Sequence, residues 1–206
     1  MLNKEKEILY LFAKEPWKKL TFTELMRISK KKSKSYLSSV IKKLLNDQLL
    51  NKHMVGHLPV YSLNSHFQKT QSFAGFILEY YGWTKKHIPY GDLQTIMNAM
   101  PTLDYVFIIT GSYASNKQTK SSDIDIVLII DDSLETKRVY AEITHLCEIN
   151  TPSIHLYVFK NKEFLEMLKN KQGNYGKEIV KNNLILKGGQ IYLKLLNEAI
   201  ENGYNG

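Results

Sequence analysis

Two short runs of apolar, aromatic and β-branched residues, Tyr105 to Ile109 and Ile126 to Ile130, flank a polar stretch of the chain. Runs of this length and composition read as strands buried on both faces. Thr110-Gly111-Ser112 follows the first run at once, and Asp123-Ile124-Asp125 leads into the second, with ten residues between Ser112 and Asp123. A strand ending in Gly-Ser lets backbone N–H groups approach a phosphate chain closely, because glycine has no side chain in the way. A helix start beyond it would add its positive dipole end. Asp123 and Asp125, two apart on a strand, project from one face while Ile124 points into the core. Two hard oxygen ligands on one face suit Mg2+ bound against phosphate oxygens.

At these residues the chain resembles the nucleotidyltransferase superfamily typified by DNA polymerase β. The spacer is most similar to that of the minimal nucleotidyltransferases, small prokaryotic proteins that include antitoxins transferring AMP from ATP to a partner toxin. The motif covers Phe107 to Ile130, and the order of strands and helices extends the likeness through most of residues 67–206. The resemblance implies a small mixed α/β domain with its sheet covered by helices. It implies ATP or another nucleoside triphosphate as substrate, Mg2+ or Mn2+ held by Asp123 and Asp125, and a triphosphate on Gly111 and Ser112. Ser122 either assists the phosphates or caps the turn.

One departure stands out. Active members carry a third carboxylate on the next core strand, but here that strand reads Ser153 to Phe159 and contains no acid. His155 falls on the face of Ser153 and Tyr157, where the third acid would stand, and Glu148 and Glu163 lie beyond the strand ends. Three outcomes stay open: one-metal catalysis with His155 as base, an acid delivered by a partner, or nucleotide binding without turnover. An ordinary strand histidine is an equal reading.

The charge is unevenly spread. Residues 1–66 hold thirteen Lys and Arg against five Asp and Glu, whereas residues 67–206 hold fifteen of each sign, so the whole net charge of +8 is N-terminal. This asymmetry points to a basic module that meets a polyanion, joined to a neutral one. In the basic third, Ile8, Leu9, Leu11 and Phe12 form one apolar stripe before Pro16, and Thr21 with Glu24 marks a capping box for a second helix. Leu37, Val40, Ile41, Leu44 and Leu45 form the inner stripe of a third helix. A hairpin around Gly56-His57 follows.

Three helices, a hairpin and a lysine cluster resemble a winged helix-turn-helix domain. That resemblance implies nucleic-acid binding, with duplex DNA the first expectation, through Lys31, Lys32, Lys34, Ser35, Tyr36, Ser39 and Lys42 of the third helix region and Lys52 of the wing. A protein-interaction module with a lysine-coated surface is the plainer alternative.

Residues 67–103 return to helical spacing, with Phe73, Phe76, Ile77, Tyr80 and Tyr81 on one expected stripe, and read as a connector packed between the modules. Residues 104–206 complete the neutral domain. The start of the chain lacks a secretory pattern, no window is apolar enough for a membrane span, and the single Cys147 excludes an internal disulfide and a cysteine zinc cluster, so a cytoplasmic protein is expected. The expected function is Mg2+-dependent transfer of AMP to a hydroxyl of a protein, an RNA or a small molecule. The alternative is a transcriptional regulator or antitoxin-like protein whose second domain only binds a nucleotide or a partner. A homodimer is compatible with a reader of paired half-sites.

Overall fold

The protein is described from a computed structural model that covers residues 5–206. Most of the start of the chain, read above for the absence of a secretory signal, lies outside the described residues.

The N-terminal third comprises α1 (Lys6–Lys14), β1 (Leu20–Thr21), α2 (Phe22–Ser29), α3 (Lys34–Asn46), β2 (Leu50–Val55) and β3 (Leu58–Leu63). The capping box forms as expected. Thr21 accepts from the Glu24 N–H, and the Glu24 carboxylate accepts from the Thr21 N–H at 2.7 Å. Ser33 caps α3 by accepting from the Tyr36 N–H. Leu37, Val40, Ile41 and Leu44 are buried, so α3 turns its lysines and serines outward. The strands form an antiparallel sheet in the order β1-β3-β2, and the hairpin turns at Gly56 with φ +59°. The two-residue β1 carries no periodic signal and was not expected.

Next come α4 (Gln68–Gly82) and α5 (Tyr90–Asn98). Here the expected aromatic stripe holds in part: Ile77 is buried and Phe73 and Tyr81 pack against the core, but Phe76 and Tyr80 do not. The buried face of α4 is Thr70, Ala74, Gly75, Ile77 and Leu78, while Phe76 is 59% exposed and Tyr80 lies outward. The reason is steric. A Cβ on Gly75 would collide with the backbone of Gly189 and Gln190, so the close approach to α10 runs over Ala74 and Gly75 and leaves Phe76 outside it.

The remainder is β4 (Tyr105–Thr110), α6 (Gly111–Ala114), β5 (Ile124–Ile130), α7 (Thr136–Glu148), β6 (Ile154–Lys160), α8 (Asn161–Lys169), α9 (Tyr175–Lys181), β7 (Leu184–Lys187) and α10 (Gly189–Glu201). Four strands form a mixed sheet in the order β6-β5-β4-β7, with β5 and β6 parallel and the other pairs antiparallel. Its two faces explain the unbroken apolar runs. Tyr105, Phe107, Ile109, Ile126, Leu128 and Ile130 pack with α5 and α7, and Val106, Ile108, Val127 and Ile129 pack towards α4, α8, α9 and α10. The second of these cores continues into α1 and α3, so the basic third and the sheet share buried apolar contacts. Cys147 is buried on α7, and burial pushes its thiol up to about 11.

Candidate active site

Thr110 at the end of β4 pairs with Asp125 across the antiparallel ladder, and Asp125 pairs with His155 across the parallel one. Paired strand residues share a face, so these side chains form a row across three strand ends. Asp123 stands one residue before β5 and lies on the face of Asp125. The His155 ring sits between the carboxylates, with Nε2 3.4 Å from Asp123 Oδ2 and Nδ1 3.6 Å from Asp125 Oδ1. The Ser153 hydroxyl donates to Asp123 Oδ1. The structure therefore brings Asp123, Asp125 and His155 together.

The row is open on one side. The side chains of His155, Asp123 and Asp125 are 58%, 39% and 28% exposed. Burial raises the Asp125 carboxyl above its ordinary range. His155 opposes this, and the negative charge of Asp123 adds to it. A partly desolvated carboxylate beside a second one is an arrangement that a bound cation would relieve.

Gly111 closes the site on the other side. Its φ is +66°, and a Cβ there would run into the Asp125 carboxylate, so the position needs glycine for both backbone and space. The Gly111 carbonyl accepts from Asn182 Nδ2 at 2.6 Å, while the Asn182 carbonyl accepts from the Thr110 hydroxyl at 2.7 Å. Asn182, the C-cap of α9, thus ties the turn to the opposite layer. The helix expected after the turn is the single-turn α6 of four residues, a weaker dipole than a long helix offers. The Ser112 carbonyl accepts from the Lys117 N–H at 2.9 Å. The Ser122 hydroxyl accepts from the Thr119 N–H at 2.8 Å within the turn.

Among the described residues, no three His, Cys, Asp or Glu side chains are grouped as ligands of one ion. Asp123 and Asp125 supply two hard oxygen ligands, and Mg2+ is commonly held by one or two carboxylates together with substrate phosphates and water. The donor set therefore fits a metal that arrives with a nucleotide. Of the acids weighed as substitutes, Glu163 accepts from the Lys160 N–H at 2.8 Å, and Glu148 ends α7 beside a hollow of 410 Å³ on the outer side of His155.

Three residues at the site escaped the sequence reading, Tyr175, Glu178 and Asn182, while Ser153 was placed on the face of His155 without a role. Tyr175, Glu178 and Asn182 line a cavity of 170 Å³ with Gly111 and Asp125. The Asn182 contact spans 71 residues of sequence and carries no local motif.

In the basic third, Lys32, Lys34, Ser35, Ser39 and Lys42 are exposed at α3 and its approach, and Lys52 is exposed on β2. Lys31 is engaged by Glu7 and lies 5.7 Å from the Tyr36 ring centre, and Tyr36 is half-buried against the core.

Residues 93–186 match the nucleotidyltransferase domain family. The matched stretch runs from α5 to β7 and contains Gly111, Ser112, Asp123, Asp125, His155, Glu178 and Asn182. It supports a nucleotidyltransferase function for this unit, and such a domain implies a nucleoside triphosphate as substrate. No curated protein and no solved structure gives a significant match to the chain. Among the described residues, no helix is long and apolar enough to cross a membrane.

Proposed function

We propose that the protein transfers a nucleoside monophosphate, AMP in the first instance, from a nucleoside triphosphate to a hydroxyl of an acceptor. The observation that carries this reading is the Asp125 carboxylate against the left-handed Gly111 turn, with Asp123 joined to it through His155, inside the segment that matches the family. In this reading Asp123 and Asp125 hold Mg2+ or Mn2+, which when bound neutralises charge on the phosphates as the α-phosphorus is attacked. Gly111 and Ser112 seat the β- and γ-phosphates through backbone N–H groups. The acceptor oxygen forms a bond to the α-phosphorus, the bond from that phosphorus to the bridging oxygen breaks, and pyrophosphate leaves. His155 takes the acceptor's proton at Nε2, and the nearby carboxylates stabilise the imidazolium that results.

The basic third is read as a winged helix-turn-helix domain that brings the enzyme to duplex DNA. The support is the order of three helices and a hairpin, with Lys32 exposed just before α3 and Lys34 and Lys42 exposed on it. The division into residues 1–66, 67–103 and 104–206 belongs to the same proposal.

A second reading, a nucleotide sensor without turnover, is favoured by one observation: the residue paired with Asp125 on β6 is His155 and not an acid. Incubation with ATP labelled at the α-phosphate, Mg2+ and a cell extract separates the two. Label transfer that is lost in Asp123→Asn and Asp125→Asn supports the transferase, and nucleotide binding with no label transfer to any acceptor supports the sensor.

A further inference from the structure

The cavity between Asp125 and α9 is small and distinctive in its lining. At 170 Å³ it is well below the roughly 300–1,000 Å³ of sites that enclose a whole drug-sized ligand, so it receives one part of a larger molecule. Gly111 and Asp125 form the wall it shares with the phosphate and metal positions proposed above, Tyr157 and Tyr175 face it, and Glu178 and Asn182 close it from α9.

Its polar character is that of an acceptor. Glu178 has no hydrogen bond or ion pair through its carboxylate among the described residues, and the Asn182 amide is already committed to the Gly111 carbonyl at 2.6 Å. Asp125, Tyr175 and Glu178 line the same space. With Asp125 assigned to the metal, the Glu178 carboxylate disfavours a phosphate in this space and matches a neutral group rich in O–H donors. The Tyr157 and Tyr175 rings, 4.9 Å apart at 52°, add an apolar surface for a C–H face.

In a nucleotide whose α-phosphate lies beside Asp125, the group joined to that phosphate through one ester oxygen is the sugar. The base lies further out. We propose that this cavity receives the nucleotide's ribose, with Glu178 accepting hydrogen bonds from its 2′- and 3′-hydroxyls, so that the site selects ribonucleoside over deoxyribonucleoside triphosphates. A carboxylate on a vicinal diol is the same chemistry that recognises ribose in dinucleotide-binding folds. The inference rests on the proposed transferase reading, because it takes the position of the α-phosphate from it.

Calorimetric titration of the full chain tests it, using ATP, 2′-deoxy-ATP, 3′-deoxy-ATP and inorganic tripolyphosphate with Mg2+. The wild-type protein should bind at least one deoxy analogue about tenfold or more weakly than ATP, the loss expected for a hydrogen bond to a charged acceptor. Glu178→Ala should remove that difference, and Glu178→Gln, which keeps a neutral acceptor, should retain part of it. Glu178 is exposed on a short helix, so both variants should fold. Tripolyphosphate, which has no sugar hydroxyl, should bind both variants at least as tightly as the wild type, because each removes a negative charge near the phosphates, and weaker binding to either variant would overturn the assignment. Equal affinity of the wild type for ATP and both analogues overturns the ribose assignment alone, as does a hydroxyl preference that survives Glu178→Ala. Failure of every nucleotide to bind overturns this assignment and the transferase reading together.

Discussion

Replacing Gly111 by alanine separates what the turn does for stability from what it does for the site. The backbone at Gly111 has φ +66°, and placing an L-residue there costs about 1–2 kcal/mol. The added Cβ would also meet the Asp125 carboxylate. That carboxylate is the far end of a side chain 28% exposed, so rotation away relieves the collision with little effect on folding. Rotation nevertheless takes Asp125 out of line with Asp123 and His155, and a misplacement of about 1 Å at a reacting centre costs on the order of 100-fold in rate. Urea denaturation of Gly111→Ala should therefore show a loss of about 1–2 kcal/mol, with nucleotidyl transfer falling about 100-fold. Adding Gly111→Ala to Asp125→Ala should cost the same stability as adding it to the wild type, because the relieved collision contributes nothing to folding. Unchanged stability would refute the left-handed turn. Reduced stability with undiminished transfer would remove Asp125 from the chemistry.

Lys14 on α1 is enclosed against the sheet unit, donating to the Asn183 carbonyl at 2.7 Å and to its side-chain oxygen at 2.6 Å, and burial lowers its pKa from 10.5 to about 8. Between those values the unfolded chain binds more protons at this group than the folded one, so its contribution to stability rises with pH. Wild-type stability relative to Lys14→Met should climb by up to about 3 kcal/mol from pH 8 to pH 10.5, and a flat or falling difference in denaturation experiments would contradict this. Lys32, Lys34 and Lys42 are exposed along the face assigned to DNA, and neutralising all three should reduce the salt slope of duplex binding by nearly three; an unchanged slope in fluorescence anisotropy would move the contact elsewhere. His155→Asp should lower stability in the absence of metal through like-charge repulsion with Asp123 and Asp125, and should tighten Mn2+ binding by about tenfold or more as ligand charge increases; weaker binding would show that residue 155 does not face the ion.

The strands around the site were legible because both faces of the sheet are covered, which leaves Tyr105 to Ile109 and Ile126 to Ile130 without polar interruptions. The carboxylate pair was legible for a different reason. A spacing of two on a strand fixes a shared face whatever the rest of the chain does. His155 could be placed beside them because the resemblance sets its strand next to that of the aspartates, and alternation along it fixes the face. Asn182, Tyr175 and Glu178 were not legible, since their place depends on how α9 folds back over the sheet, and nothing local in the sequence encodes that approach. The outward turn of Phe76 and Tyr80 has a similar origin, because the small residues of α4, and not its rings, meet α10.

In the proposed function, Asp123 and Asp125 hold a divalent cation against a triphosphate seated on the Gly111 turn. Titration with Mn2+ and a non-hydrolysable ATP analogue, followed by electron paramagnetic resonance of the metal, tests it directly. Metal and nucleotide should each tighten the other's binding by the same factor, as linkage requires, and Asp125→Asn should abolish this coupling. Independent binding of the two ligands, or coupling that persists in Asp125→Asn, would contradict it.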